Sequence, residues 1–180
     1  MFVRTALLLA ASMAATPVAA QDRDGADHPL LTRYPGTEIR SYRATGAERL
    51  FVPTAAVTNQ ARAKGVTLEG EATHISYMHF PAVSRLEMVR FYQTQLAAKG
   101  FALRFNCTGD VQCGREMQTL LINSGKVAPE GIGDAGFSGR YTTMVATRGN
   151  DWIVLMIEEN ANRSIVYEGV IEHARQLGVR

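Results

Sequence analysis

The sequence predicts an α+β domain with a largely antiparallel sheet, one well-defined helix and a second short helix packed on it, and a closing three-strand meander. A helix with start and stop signals lies between segments that alternate as strands do. The dipeptide Gly149-Asn150 between two apolar segments is typical of a β-hairpin turn. Residues 152–157 are apolar on both faces, which is typical of a central strand that is covered on both sides.

The first twenty residues are predicted to be a cleavable signal peptide. Arg4 gives a short positive start, residues 5–15 form an apolar stretch, and small residues precede a cleavage site after Ala20. We therefore expect export to the periplasm. The apolar stretch is too short for a membrane anchor, and no transmembrane segment is expected in the rest of the chain.

Residues 21–36 are predicted to form an irregular N-terminal arm, and residues 37–180 a single α+β domain. Pro29 and Pro35-Gly36 oppose regular structure in the arm, while Leu30-Leu31 and Tyr34 are available to pin it to the domain. Short strands are predicted at 37–42 and 48–52. A longer strand is predicted at 66–80, with either a break or a bulge at Gly70.

The helix is predicted over Arg85 to Lys99. Ser84 and Glu87 have the spacing of a capping box, and Gly100 stands where a left-handed residue ends a helix. Four side chains at helical spacing are expected to face the sheet. They are Leu86, Val89, Tyr92 and Leu96.

The rest of the chain alternates between strands and one short helix. A strand is predicted from Phe101 to Cys107, the short helix from Arg115 to Ile122, and a loop over 123–137. The meander is predicted at 140–147, 151–158 and 164–172.

Composition excludes several function classes. Removing residues 1–20 removes only Arg4, which leaves 18 basic against 17 acidic residues, a net charge of +1. Because the two signs are interspersed, no charged block is available to hold nucleic acid. We expect no nucleic-acid partner.

Cys107 and Cys113 are the two cysteines of the chain. In an oxidising compartment they can close a small loop, worth about 2 kcal/mol in the loop-entropy model. A structural disulfide is the main expectation. A redox-active pair usually has closer spacing, and a zinc site needs further ligands, but both alternatives stay open here.

Other polar residues carry weaker signals. His74 and His79 are expected at the surface or the rim of a strand, because their odd separation puts them on opposite faces. Four late carboxylates are expected at strand ends or on solvent faces. They are Glu158, Glu159, Glu168 and Glu172.

Three stretches together carry a family resemblance: residues 27–36, the helix and strand that lead into Asn106-Cys107 with Cys113-Gly114, and residues 157–172. The combination resembles a domain-of-unknown-function family of exported Gram-negative proteins, often found in front of an OmpA-like peptidoglycan-binding domain. The resemblance implies a periplasmic, envelope-associated module and gives no catalytic residues. No room is left after the last predicted strand for an OmpA-like domain, so peptidoglycan binding through one is not expected.

The function expected is therefore a non-catalytic module that binds an envelope protein or a cell-wall component. His28, Arg33 and Tyr34 form the candidate binding surface, with His28 also able to fix the arm to the domain by hydrogen bonds. No catalytic residue, metal ligand or cofactor is assigned. Two alternatives are a thiol-disulfide protein that uses Cys107 and Cys113, and a small-ligand binder that uses the groove between the helix and the meander.

Overall fold

Six strands form one sheet in the order β1-β2-β6-β5-β4-β3, and every neighbouring pair is antiparallel. The computed structural model describes residues 24–133 and 136–179, so the predicted signal peptide and its cleavage site lie outside the described residues. The strands are β1 (Glu38–Pro53), β2 (Gly65–His79), β3 (Ala102–Thr108), β4 (Tyr141–Arg148), β5 (Asp151–Glu159) and β6 (Ser164–Val179). The helices are α1 (Arg85–Ala98), α2 (Gly109–Cys113) and α3 (Met117–Ile122), with a 3-10 turn at Gln60–Arg62.

The predicted α+β class and the closing meander are confirmed. β4, β5 and β6 follow one another in chain and in space. Gly149 has φ +57° in the turn between β4 and β5, a left-handed conformation that glycine adopts without steric cost. Every residue from Trp152 to Glu158 is buried, as expected for a strand covered on both faces.

The two short strands predicted at 37–42 and 48–52 are one strand, β1. Its register against β2 shifts between Ile39 and Ser41 and again between Thr45 and Ala47. Each bulge resets the alternation of side chains, so the pattern is broken although the backbone pairing continues. The prediction of two strands was wrong for this reason.

The bulge predicted at Gly70 in β2 is confirmed. The pairing of β2 with β6 skips from Glu69 to Glu71, and a Cβ atom on Gly70 would lie 2.6 Å from the carbonyl oxygen of Glu172. The neighbouring β1 has its second bulge at the same level, opposite Glu71, so the sheet bends along a line that crosses both strands.

The helix α1 ends as the sequence predicts but begins differently. Gly100 has φ +77°, the amide of Phe101 donates to the carbonyl of Leu96, and the amide of Gly100 donates to the carbonyl of the residue three positions earlier. This is the Schellman arrangement. At the other end Ser84 is the N-cap residue, but its side chain makes no capping hydrogen bond, so the predicted capping box is absent.

The two faces of the sheet bury separate apolar clusters. On the α1 face, the helix buries four side chains against the strands. They are Met88, Val89, Tyr92 and Leu96. Leu86, which was predicted to face the sheet, is exposed, and Met88 takes the buried position in the first turns.

α2, α3 and the loops around them cover the opposite face. The short helix predicted at 115–122 is confirmed as α3, which begins two residues later. α2 was not predicted from the sequence; its five residues end at Cys113, within the segment that the disulfide closes. The predicted loop over 123–137 contributes Val127, Ala128 and Ile132 to the core of this face.

Candidate functional site

The N-terminal arm lies along one side of α1 and runs antiparallel to it. The amide side chain of Gln95 accepts from the backbone N–H of Thr32 at 2.9 Å and donates to the carbonyl of the same residue at 2.8 Å. One turn further along, the Lys99 ammonium donates to the carbonyl of Pro29 at 3.0 Å. Because residues four apart share one side of a helix, α1 offers a continuous row of contacts to the extended arm.

Tyr34 ends this row and lies between α1 and the end of β2. Its hydroxyl donates to the carboxylate of Glu87, and its ring meets the Phe91 ring edge-on at a centroid distance of 5.2 Å. The His79 ring lies 5.9 Å away on the other side. The carboxylate that was expected to cap α1 therefore holds the arm, and the hydrogen bond to Glu87 raises the pKa of the Tyr34 hydroxyl.

His28 and Arg33 fasten the arm to the strands. His28 is only 7% exposed, and its Nε2 lies 3.2 Å from a carboxylate oxygen of Glu172 on β6. Arg33 donates through Nε to Asp27 at 2.7 Å, and its guanidinium lies 5.6 Å from the centre of the Tyr77 ring. The expectation that His28 fixes the arm by hydrogen bonding is confirmed. All three residues of the predicted binding surface contact the strands or α1: His28 meets Glu172, Arg33 lies over Tyr77, and Tyr34 bonds Glu87.

Glu168 is the most unusual residue of this face. It lies on β6 between Val166 and Val170, pairs with Ile75 and Leu155 on the adjacent strands, and has no exposed surface. Neither carboxyl oxygen has a hydrogen-bond partner within residues 24–133 and 136–179. The prediction of a strand-end or solvent-face role was wrong for this residue.

Burial, followed by the negative charge of Asp27, raises the pKa of Glu168 to about 8, while the ammonium of Lys99 opposes the shift. A carboxyl group loses most of its hydration on complete burial, which penalises the charged form. At neutral pH Glu168 is therefore mostly a neutral acid. The sequence signal is a carboxylate within an apolar strand, and the alternation Val166, Glu168, Val170 places it on the arm face.

Two buried tyrosines accompany Glu168. The Tyr77 hydroxyl donates to Asp27 at 3.2 Å, and the Tyr92 hydroxyl accepts from the backbone N–H of Tyr34 at 3.2 Å. Burial raises the pKa of both phenols far above the usual value, and the charge of Glu168 adds to the shift. Both therefore stay protonated, and both act as hydrogen-bond partners of the arm.

A second set of buried polar side chains lies on the opposite face of the sheet. Its members come from three neighbouring strands, β1, β2 and β6. The Nδ1 of His74 lies 2.9 Å from the hydroxyl of Tyr167, and its Nε2 lies 3.3 Å from the carboxylate of Glu48. Thr45 donates its hydroxyl to the same carboxylate oxygen. His74 is fully buried, so the prediction of a surface or rim position was wrong, while His79 is half-buried at the end of β2.

Burial lowers the pKa of His74, and the neighbouring Glu48 opposes this shift. A neutral imidazole has one N–H, and Glu48 as a carboxylate can only accept, so Nε2 donates to Glu48 and Nδ1 accepts from Tyr167. With His74 and Tyr167 enclosed in the core, this arrangement links β1, β2 and β6 rather than meeting a substrate.

Cys107 and Cys113 form the predicted disulfide, with their Cα atoms 5.1 Å apart. Their residues are 3% and 0% exposed and belong to the apolar cluster beneath α3. The bond joins the end of β3 to the end of α2. A buried sulfur pair offers no surface to an attacking thiolate, which supports a structural role.

The late carboxylates have separate roles. Glu158 lies at the end of β5, one of the two positions expected for it, but it is fully buried and accepts from the backbone N–H groups of Gly136 and Ser138 at 3.0 and 2.8 Å. Glu159 accepts from the backbone N–H of Arg85 at the start of α1. This bond satisfies a different N–H of the first turn from the one that a capping bond of Ser84 would satisfy.

Two exposed apolar residues lie next in sequence to residues that contact Tyr34. Phe80 is 54% exposed and follows His79, while Leu86 is 51% exposed and precedes Glu87. Tyr34 contacts His79 and Glu87, which are the immediate sequence neighbours of Phe80 and Leu86 near the junction of β2, α1 and the arm. We call Tyr34, Phe80 and Leu86 the junction surface.

The groove between α1 and the meander, where a small ligand was an alternative expectation, is filled by the buried side chains of α1. A cavity of about 170 Å³ lies on the opposite face. It is lined by Phe51, Gln60, Thr67, Leu120 and Lys126. Within the described residues, no group of three or more histidine, cysteine, aspartate or glutamate side chains could hold a metal ion.

Comparison of the chain with models of known families gives no match, and comparison with curated proteins gives no match either. The family resemblance seen in the sequence therefore stays a hypothesis.

Proposed function

We propose that this protein is a non-catalytic, periplasmic module of the cell envelope that binds another envelope protein through the junction surface. The observation that carries the proposal is the exposure of Phe80 and Leu86, which directly adjoin His79 and Glu87, the residues that hold Tyr34 where β2, α1 and the arm meet. Large apolar and aromatic side chains exposed on a well-held part of a fold are candidates for a protein contact.

The junction surface is well supported from beneath. Tyr34 is held by Glu87 and Phe91, and the start of α1 is held by Glu159 and by Ser164, which bonds both the N–H and the carbonyl of Val83. Preorganised side chains lose little conformational freedom when a partner binds. This rigidity favours recognition of a folded partner.

Three features of the chain agree with an envelope location. The N-terminal sequence has the pattern of a signal peptide, and the disulfide is of the kind that persists in oxidising compartments. The described part of the chain contains no helix that is long and apolar enough to cross a membrane. Processing after Ala20 would give an N-terminus at Gln21, which mass spectrometry of the exported protein can measure.

Position-specific photo-crosslinking in living cells tests the proposal. A photoreactive phenylalanine analogue at position 80 or 86 is expected to give one discrete crosslinked product. Leu103 on β3 is the matched control, because it is an apolar residue with a similar exposure of 45% far from the arm. Position 103 is expected to give no such product.

Specificity is tested with a charge at the same surface. Phe80→Asp is expected to abolish the product formed from position 86, whereas Leu103→Asp leaves it unchanged. Equal crosslinking from positions 80, 86 and 103, or a product that survives Phe80→Asp, would contradict a binding role for the junction surface. A product that contains glycan rather than protein would assign the surface to the cell wall instead.

A further inference from the structure

The helix α1 and the N-terminal arm cover different parts of the same face of the sheet. Six strands at about 4.8 Å spacing make a face roughly 24 Å wide, and a helix covers about 10 Å of it. α1 packs on β4 and β5. The arm covers β2 and β6, where Leu31 is buried with Ile75 and Val166 and where His28 meets Glu172.

Glu168 lies on the part of the face that the arm closes. Its side chain shares that face with Val166 and Val170, and Asp27 on the arm is the acidic group that acts on it. Its two oxygens are buried without a hydrogen-bond partner among the described residues. Closing the arm therefore removes this carboxyl group from water without giving it a compensating bond, which is costly when the group is charged.

The arm can detach without unravelling the sheet. β1 begins at Glu38, after Pro35 and a left-handed Gly36 with φ +80°. The bonds that hold the arm come from single side chains such as Gln95 and Lys99, both near the surface. Segments held in this way open locally at a lower free energy than the core does.

We propose that residues 27–34 form a latch over Glu168, docked most tightly while this carboxyl group carries its proton and released progressively as the group ionises. Release uncovers the apolar side chains of β2 and β6 that Leu31 covers in the closed state. Tyr34 belongs to both the latch and the junction surface, but the latch is argued from the burial of Glu168 and is tested without a binding partner.

Charged and titratable groups face Glu168 from each element that packs against it. Those linked electrostatically to Glu168 are Asp27 from the arm, Tyr77 from β2, and Tyr92 and Lys99 from α1. The arm also carries Arg33, which bonds Asp27, and His28, which bonds Glu172. On its own strand, Glu172 is engaged by His28. The phenols stay protonated because burial raises the pKa of both. Among these groups, Glu168 is the one that burial holds as a neutral acid, with its pKa raised to about 8.

The direction of the pH effect follows from linkage. The pKa of Glu168 is about 8 in the closed state, and a carboxyl group exposed to water in the open state returns to about 4.5. Between those values the open state binds fewer protons than the closed state. The open fraction therefore rises up to about tenfold per pH unit from about pH 4.5 to about pH 8 and then levels off.

Hydrogen exchange with mass spectrometry tests the latch on the purified protein as the cell produces it. The backbone N–H groups of Thr32 and Tyr34 are bonded in the closed state. After correction for intrinsic exchange, their protection is expected to fall up to about 100-fold between pH 5.5 and pH 7.5. In Glu168→Gln, which cannot ionise, the protection is expected to stay constant over the same range.

Glu172→Gln is the matched control, since this carboxylate lies on the same strand and face but already has a partner in His28. It is expected to lower protection at every pH and to keep the pH dependence. Amides of β5 report global unfolding and should stay protected throughout. A pH-independent wild-type arm, a Glu168→Gln arm that still responds, or a parallel loss of protection in β5 would each overturn the proposal. Glu168→Leu provides the same comparison if the glutamine variant does not fold.

Discussion

Removing the disulfide by Cys107→Ala together with Cys113→Ala should lower the stability of the protein by a predictable amount. The two residues are six apart in sequence, and a loop of that size gives about 2 kcal/mol in the loop-entropy model. Loss of the buried sulfur atoms beneath α3 adds about 1 kcal/mol. For a chain of this size, the sum corresponds to a decrease in melting temperature of about 5 to 10 °C.

Differential scanning calorimetry of the oxidised wild type and the double variant measures this change. Wild-type protein unfolded and reduced before refolding should melt close to the double variant, because both then lack the covalent link. The junction surface should still crosslink in the double variant, since Phe80 is exposed at the end of β2 and the sulfur pair is buried in the apolar cluster on the face opposite α1. An unchanged melting temperature would refute a stabilising disulfide, and loss of crosslinking at unchanged stability would favour the thiol-disulfide alternative.

Two further predictions concern a backbone position and a buried side chain. Gly114→Ala should lower the free energy of unfolding, measured by urea titration, by more than 2 kcal/mol, because φ is +84° and the new Cβ atom would lie 2.3 Å from the carbonyl oxygen of Val57. Gly149→Ala is the control: nothing lies within 4 Å of its new Cβ atom, so it should lower the free energy of unfolding by only about 1 to 2 kcal/mol. Burial lowers the pKa of His74, so its contribution to stability is complete above about pH 6.5 and is lost as the pH falls. The difference in the free energy of unfolding between wild type and His74→Gln should therefore shrink by up to about 1.4 kcal/mol per pH unit below that point. A larger difference at pH 5.5 than at pH 7.5 would show that His74 is not buried as a neutral group.

The sequence correctly predicted those helix ends and turns whose conformation is determined by one or two neighbouring residues. The C-terminal end of α1 depends on Gly100 and the residue after it, and the β4–β5 turn depends on Gly149 and Asn150. The backbone conformation at these residues follows from their own chemistry, so tertiary contacts do not change what they predict. β1 was divided in two because Gly46 at a bulge interrupts the alternation.

The residues that the arm contributes to the candidate site could be predicted from the sequence, but their contacts in the rest of the chain could not. His28, Arg33 and Tyr34 stand close together in sequence, so a shared surface could be inferred from their spacing. Their role depends on residues such as Glu172, which lies 144 positions from His28. A carboxylate in an alternating strand can face either side, and only the docked arm decides that Glu168 is buried.

The bend across β1 and β2 has a mechanical consequence for how the molecule comes apart. β5 pairs with β6 only from Ser164 to Ile171, so beyond the bend β6 continues alongside β2 alone as part of a three-stranded ribbon. In this ribbon only β2 is paired on both sides, whereas in the centre of the sheet β2, β6, β5 and β4 are all paired on both sides. Under a pulling force or in mild denaturant, the ribbon should peel away along this crease first, while the four strands around β5 remain paired.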